Sequence, residues 1–362
     1  RAVISAMHLA SVEAPLEAVK AMRASILILG PLLARFGAAR IALPGGCAIG
    51  ARPVDLHLRG LRQMGATIRV VDGFIEARAD GLSGMDFHFD KVTVTGTENL
   101  MAAATLAAGE TVLRNAAREP EVVDLAEFLI SMGARIQGHG TDRIVIQGVS
   151  KLTGTKYRVM PDRIETGTFV CAAAATAGHV LITGTETKHL GAFLDVMRDA
   201  GLPMRVSQNE IEVLPHSGLR AVNVRTEPYP GFPTDLQAQL SAVLIGAKGR
   251  SRLIESIFEN RVGHFEQLRL MGADIVAAEG ETWIEGAGPP VGGLVAATDL
   301  RAGAALVIAG LGAIRETQVT QIHHLERGYE NFSGKLIGLG AQIVRIGGMG
   351  SHSWLDERRL PA

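Results

Sequence analysis

Five times along this chain a helix-like segment runs into a glycine and then into a short strand. The strings are Gln-Met-Gly-Ala-Thr-Ile, Ser-Met-Gly-Ala-Arg-Ile, Asp-Ala-Gly-Leu-Pro-Met, Leu-Met-Gly-Ala-Asp-Ile and Gly-Leu-Gly-Ala-Gln-Ile. Their glycines are Gly65, Gly133, Gly201, Gly272 and Gly340, spaced by 68, 68, 71 and 68 residues. A period of this length constrains the fold more than any single motif does. A glycine in that place reads as the left-handed residue that closes a helix. The strand after it returns through a turn such as Asp72-Gly73 or Glu279-Gly280, giving a hairpin. A second signal interleaves with the first. Alanine-rich apolar helices are expected at 25–36, 99–108, 168–177, 238–248 and 302–311, each followed by a strand such as Val112-Leu113 or Val180-Leu181-Ile182.

Each unit therefore reads strand–helix–strand–helix–hairpin. A unit this small, with two one-sided helices, cannot bury its faces alone and packs against its copies. Three units per globular domain give an α/β protein of two similar domains with a cleft between them. The boundaries expected are 1–160 and 161–348, with 349–362 as an unmatched tail. Five full units and a short leader before Met22 point to a six-unit protein whose first unit is incomplete. Propeller and solenoid repeats are shorter and dominated by one kind of element, which sets them aside.

Composition narrows the class. The chain has 362 residues, 47% of them hydrophobic and 20% charged, with a net charge of −1, so it has core enough for two ordinary domains. There is no basic excess to attract nucleic acid, so any anion site is local. The two cysteines, Cys47 and Cys171, cannot make a disulfide framework and suit a reducing, cytoplasmic setting. No apolar run reaches membrane-span length, since Pro31, Gly178 and His179 interrupt the longest. The start has no signal-peptide grammar. It opens on Arg1 rather than Met, as a chain beginning inside a gene would.

The stretch 43–56, Leu-Pro-Gly-Gly-Cys-Ala-Ile-Gly-Ala-Arg-Pro-Val-Asp-Leu, carries the densest chemistry. Glycines allow a tight, close-approaching loop. Pro53 suits a first helical position, and Val54, Leu58 and Leu61 recur on one face. A helix N-terminus with Arg52 at its mouth favours anions and would lower the pKa of Cys47. The plain alternative is a structural turn with an inert cysteine. Cys171, in an alanine run, reads as a small core residue.

With loop and repeat in hand, the chain resembles the UDP-N-acetylglucosamine 1-carboxyvinyltransferases. The resemblance runs from about residue 10 to about residue 347. It is carried by Met-Arg-Ala-Ser (22–25), the loop 43–57, Asp-Lys-Val-Thr-Val-Thr-Gly-Thr-Glu-Asn (90–99) and Asn-Ala-Ala-Arg-Glu-Pro-Glu-Val-Val-Asp (115–124). Pro-Asp-Arg-Ile-Glu-Thr-Gly-Thr (161–168), Phe-Pro-Thr-Asp-Leu-Gln-Ala-Gln (232–239), Thr-Asp-Leu-Arg-Ala (298–302) and Glu-Arg-Gly-Tyr-Glu (326–330) complete it. The family fold so implied is an inside-out α/β barrel of two three-unit domains. The implied reaction moves the enolpyruvyl group of phosphoenolpyruvate to the 3′-hydroxyl of UDP-N-acetylglucosamine and releases phosphate, the first committed step of peptidoglycan synthesis. The partners are these two small molecules, with no nucleic acid, membrane, cofactor or metal.

The resemblance also implies roles. Arg327 and Arg52 would hold phosphoenolpyruvate, Arg23 would contact the nucleotide sugar, and Arg301 would line the same pocket. Guanidinium forks suit such polyanions, though a lone arginine is most often a solvated surface residue. Asp235 would be the base at the 3′-hydroxyl; its plain alternative is a helix cap. Cys47 would donate a proton to the enol methylene carbon and confer sensitivity to fosfomycin-type epoxides. Lys91, Val92, Thr93 and Val94, with Arg52, Pro53, Val54, Asp55 and Leu56, would cradle the uridine diphosphate. Read alone, Lys91–Val94 is an alternating strand. Ile257 would sit beside the sugar; read alone it is core. Arg118-Glu119, Asp162-Arg163 and Glu165 read as charge pairs at the domain junction, with structural salt bridges the weightier meaning.

Two departures keep alternatives open, one of them the tail Met349–Ala362, which has no counterpart in the family. The family begins some tens of residues earlier, with a glycine-alanine-lysine-asparagine segment that this chain does not supply. A catalytically incomplete fragment is thus one alternative. The shikimate-pathway enolpyruvyl transferase is another, although it lacks the cysteine loop and the Lys-Val-Thr-Val segment.

Overall fold

The computed structural model describes residues 2–6, 9–14, 16–43, 54–278 and 280–346, and the side chains of residues 18, 20, 21 and 23 are not among what it describes. Cys47, Arg52 and Pro53 lie outside the described residues, as does the tail from 347 onward.

The strands are β1 (Ala38–Ala42), β2 (Thr67–Val71), β3 (Phe74–Arg78), β4 (Asp86–His88), β5 (Glu110–Arg114), β6 (Arg135–Gln137), β7 (Arg143–Gln147), β8 (Val180–Thr183), β9 (Met204–Val206), β10 (Glu210–Val213), β11 (Asn223–Arg225), β12 (Gly249–Ile254), β13 (Asp274–Ala278), β14 (Glu281–Gly286), β15 (Gly293–Ala296) and β16 (Thr317–Thr320). Two sheets share one topology, β4-β5-β7-β6 and β11-β12-β14-β13. In each the first pair is parallel and the other two are antiparallel. The sheets β1-β3-β2 and β8-β10-β9 repeat the antiparallel part, and β15 and β16 repeat the parallel pair. The full strand–helix–strand–helix–hairpin order is therefore seen over 86–147 and 223–286. Elsewhere a leading strand shrinks to a single bridge, Glu13 with Arg40, or the final hairpin is not assigned, as over 341–346.

The five periodic glycines behave alike. Their φ values lie between 87° and 103°. Each donates its N–H three residues back, and the residue after it donates to the carbonyl five back, as in Ala66 to Leu61 and Ala341 to Leu336. This is the paired bonding of a Schellman helix end, which needs a left-handed residue.

The helices sort by burial. Asp55–Gln63, Pro120–Ser131 and Gly191–Asp199 bury one stripe each, for example Val122, Ala126 and Leu129. All eight residues of Gln237–Leu244 are buried, and Val94–Ala104, Arg163–Ala175 and Leu300–Leu311 are nearly so. A helix apolar on every side belongs inside. Arg163–Ala175, Gln237–Leu244 and Leu300–Leu311 pack on one another, with the sheets outside them. Small residues permit the approach: a Cβ at Gly167 would strike the Leu236 side chain, and one at Gly60 the Leu100 side chain.

Two separate cores result, one built from Ala14 to Ile146 and the other from Ile164 to Leu336. Between them the chain is pinned by polar contacts. Tyr157 and the Met160 N–H donate to Asp124, and the Arg163 guanidinium forks onto Glu121 at 2.8 and 3.2 Å. The Tyr229 N–H reaches Glu119 at 3.3 Å. Of the expected junction charges, Asp162 instead caps its own helix, Glu165 pairs with Lys335 at 2.7 Å, and Arg118 pairs with neither glutamate.

Candidate active site

Pro233 leads into a short turn, Thr234–Leu236, that opens onto the buried helix Gln237–Leu244. Asp235 sits in that turn, and its carboxylate is not a cap. One oxygen accepts from Arg261 at 2.8 Å and the other from Arg301 at 2.8 and 3.3 Å. The cap reading fails because two guanidiniums outcompete the neutral backbone donors. Burial works against ionisation here, but the Arg301 and Arg261 charges overcome it and hold the carboxyl far below the ordinary range. A third of the side chain's surface stays open, at 36% exposure, while Arg261 and Arg301 are 7% and 15% exposed.

Each arginine is held from behind. Asp299 caps the helix Leu300–Leu311 through the N–H groups of Arg301 and Ala302, which roots Arg301 in that helix's first turn. Arg301 also donates to the Tyr329 hydroxyl at 3.2 Å, and that hydroxyl meets Thr168 at 2.9 Å. Gln239 donates to both oxygens, at 3.1 and 3.3 Å. Arg261 donates to the Thr234 hydroxyl at 2.7 Å and lies over the Phe258 ring, while its Nε–H is buried without an acceptor. Thr234 in turn donates to Glu255, whose other oxygen accepts from Thr226 and from the N–H groups of Ile257 and Phe258. Behind the site, burial pushes His264 down to about 3 and keeps it neutral; its Nε2 has no partner.

Ile257 is half-buried on the loop that Glu255 organises, rather than core. Its neighbour Ser256 lines a cleft of about 670 Å³ together with Val92, Arg118, Arg225, Glu227, Pro228, Pro230 and Gly231. Residues of both lobes thus face one space. The alternating-strand reading of Lys91–Val94 is overturned. Lys91 and Val92 are exposed in a turn, Thr93 is an N-cap accepting from the Gly96 N–H, and Val94 starts the helix. The valines' alternation imitates a strand, but Thr93 followed by Gly96 is helix-start chemistry.

Val54 occupies the N-cap position of Asp55–Gln63, with Asp55 exposed and Leu56 half-buried. Arg23 begins a short 3-10 helix. Arg327 is exposed, two residues from Tyr329, and contacts the His324 ring at 3.2 Å. The structure therefore joins Asp235 with Arg301 directly and brings Val92 and the Ile257 loop to one cleft. Arg261, Thr234, Glu255 and Tyr329 are partners that sequence reasoning missed. Tyr329 stood inside a matched string; Arg261 follows Phe-Glu-Asn, and only its burial reveals its part. Among the described residues no cluster of His, Cys, Asp and Glu could hold a metal ion, and no helix is long and apolar enough to cross a membrane.

Residues 1–336 match the family described as EPSP synthase (3-phosphoshikimate 1-carboxyvinyltransferase). The chain belongs to the EPSP synthase family. Solved enolpyruvyl transferases resemble this EPSP synthase-family chain over most of its length. The enolpyruvyl transferase NikO from Streptomyces tendae is 26% identical, with a TM-score of 0.82 over 91% of this chain and 78% of that one. An EPSP synthase from Acinetobacter baumannii is 19% identical, with a TM-score of 0.69 over 91% and 79% of the two chains, a likeness of fold. The fold is that of the enolpyruvyl transferases, and the chain is a carboxyvinyl transferase.

Proposed function

We propose that this transferase moves the enolpyruvyl group of phosphoenolpyruvate to the 3′-hydroxyl of UDP-N-acetylglucosamine, as the entry step to peptidoglycan. The observation that carries the reading is Asp235 set between two arginines, of which Arg261 is tied through Thr234 to Glu255, the neighbour of Ser256 in the wall of a cleft shared with Val92, Arg118 and Arg225. A carboxylate can take the proton of an acceptor hydroxyl, and the guanidiniums around it suit a polyanionic substrate.

In this reading Asp235 accepts the hydroxyl proton as the oxygen's electron pair forms a bond to C2 of phosphoenolpyruvate. The C2=C3 π pair takes a proton at C3 from Cys47, giving a methyl group and a tetrahedral centre. The Cys47 thiolate then takes a proton back from C3 as the C2–O bond to phosphate breaks, which restores the double bond and expels phosphate with that bond's electron pair. Arg327 and Arg52 hold phosphoenolpyruvate, with Arg301 beside them, and Arg23 meets the nucleotide sugar. The diphosphate lies along Val54, Asp55 and Leu56 and the Lys91–Val94 turn, where exposed Lys91 and the helix start favour an anion. Lobes bounded as 1–160 and 161–348 close on the pair and exclude water.

A second acceptor, 3-phosphoshikimate, stands in the family's own description. Titrating the protein with each acceptor by calorimetry separates them: a uridine nucleotide sugar that binds, with 3-phosphoshikimate inert, supports the first reading, and the reverse supports the second.

A further inference from the structure

Asp235 is held in a manner that disarms a base. Both its oxygens are engaged by guanidiniums, so a proton arriving there would displace a charged hydrogen bond. The two arginines are not equivalent. Arg301 is anchored by its helix start and by Tyr329. Arg261 belongs to the loop between β12 and the helix Gly263–Leu270, and its only described side-chain hydrogen bonds go to Asp235 and to neighbouring Thr234. Its Nε–H is buried and without an acceptor, a desolvation cost that an incoming oxygen would relieve. Two cations around one carboxylate also leave a surplus positive charge.

We propose that Arg261 is a positioning residue that masks Asp235 and releases it when an anionic substrate draws the guanidinium onto itself. The proposal rests on Asp235 being the base. A dianionic phosphate or a carboxylate offers the fork a second acceptor pair, and Asp235 then keeps one guanidinium and an oxygen free for the acceptor hydroxyl. Binding thereby switches on the base only when there is something to attack. Among the described residues, the other titratable or charged groups around the carboxylate include Arg301 and Tyr329 on one side, Glu255 behind Thr234, and Asp299, His264 and His324 beyond the arginines. Of the two groups on Asp235 itself, only Arg261 sits on a loop.

The test reads the Asp235 carboxyl directly. The full chain, labelled with carbon-13 at aspartate Cγ and assigned through Asp235→Asn, is titrated by NMR with and without phosphoenolpyruvate. Phosphoenolpyruvate is expected to raise the midpoint by about one pH unit or more. Arg261→Gln should raise it without ligand and abolish most of the ligand-induced rise, with Arg261→Lys in between. An Arg261 that stays on Asp235 when ligand binds would also raise the midpoint on replacement, but phosphoenolpyruvate would then shift the unaltered protein no more than it shifts Arg261→Gln, and that result overturns the proposal. If Arg261→Gln does not fold, Arg261→Lys and the ligand titration of the unaltered protein decide. Phosphoenolpyruvate that binds by calorimetry while the midpoint stays fixed overturns the proposal alone. Phosphoenolpyruvate that fails to bind overturns the functional reading and the proposal with it.

Discussion

Tyr329→Phe removes one oxygen from the interior of the second lobe, and the structure sets the size of the loss. The hydroxyl meets Thr168 at 2.9 Å, Arg301 at 3.2 Å and Gln239 at 3.3 Å, on a residue that is almost wholly buried. The bond from Arg301 is charge-assisted, about 1.5–3 kcal/mol; the other two are neutral, about 0.5–1.5 kcal/mol each. Thr168 and Gln239 keep each other at 3.1 Å, and Thr168 still donates to the Ile164 carbonyl, so their share is only partly lost. The net expectation is about 2–4 kcal/mol. For a lobe of this size each kcal/mol lowers Tm by about 2–4 °C, so calorimetry should find the transition roughly 5–15 °C lower. Thr168→Val tests the network from its other end, and the double variant should cost at least about 1 kcal/mol less than the two singles together. A Tm change under about 2 °C, or full additivity, would refute the claim that these residues form one support beneath Arg301.

Glu98 is nearly buried beside Glu121 and Glu119, and burial first, then those charges, push it up to about 7. A carboxyl raised on folding favours the neutral form, so its contribution is intact below the unfolded value of 4.5 and is lost as pH climbs through 7. Glu98→Gln should therefore leave Tm unchanged at acid pH and raise stability by about 3 kcal/mol above neutrality, read by denaturant midpoints at the two pH values. Gly286 ends β14 where a Cβ would sit on the Ala247 carbonyl oxygen; Gly286→Ala should cost about 3 kcal/mol, whereas Gly191→Ala, with open space, should be near neutral in urea melts. Cys47→Asp keeps an acid in the loop, so turnover should persist while labelling by a fosfomycin-type epoxide disappears in mass spectra; labelling at another residue would remove Cys47 from its role.

What the chain discloses before folding depends on how local the determinant is. The helix-closing glycines were legible because a left-handed helix end needs only its own residues, and all five adopt it. The buried alanine-rich helices were legible as apolar runs, though Val94–Ala104 and Arg163–Ala175 start about five residues before their expected positions. The missing turns are polar: Thr97 and Thr166 lie buried through hydrogen bonds to the Thr93 and Asp162 carbonyls that hydropathy cannot register. Read alone, Lys91–Val94 misleads because alternation over four residues is ambiguous between strand and capped helix start. At the site, Asp235 and Arg301 lay in matched strings, but their pairing across 66 residues did not. Arg261 could not be singled out at all, since a buried arginine and a solvated one look alike until the fold encloses it.

The central claim is that this EPSP synthase-family chain uses phosphoenolpyruvate and a uridine nucleotide sugar. Its most direct test is phosphate release from phosphoenolpyruvate by the purified chain, alone, with UDP-N-acetylglucosamine and with 3-phosphoshikimate. Release that depends on UDP-N-acetylglucosamine is the expected result. Release with 3-phosphoshikimate instead, or none with either acceptor, would contradict it.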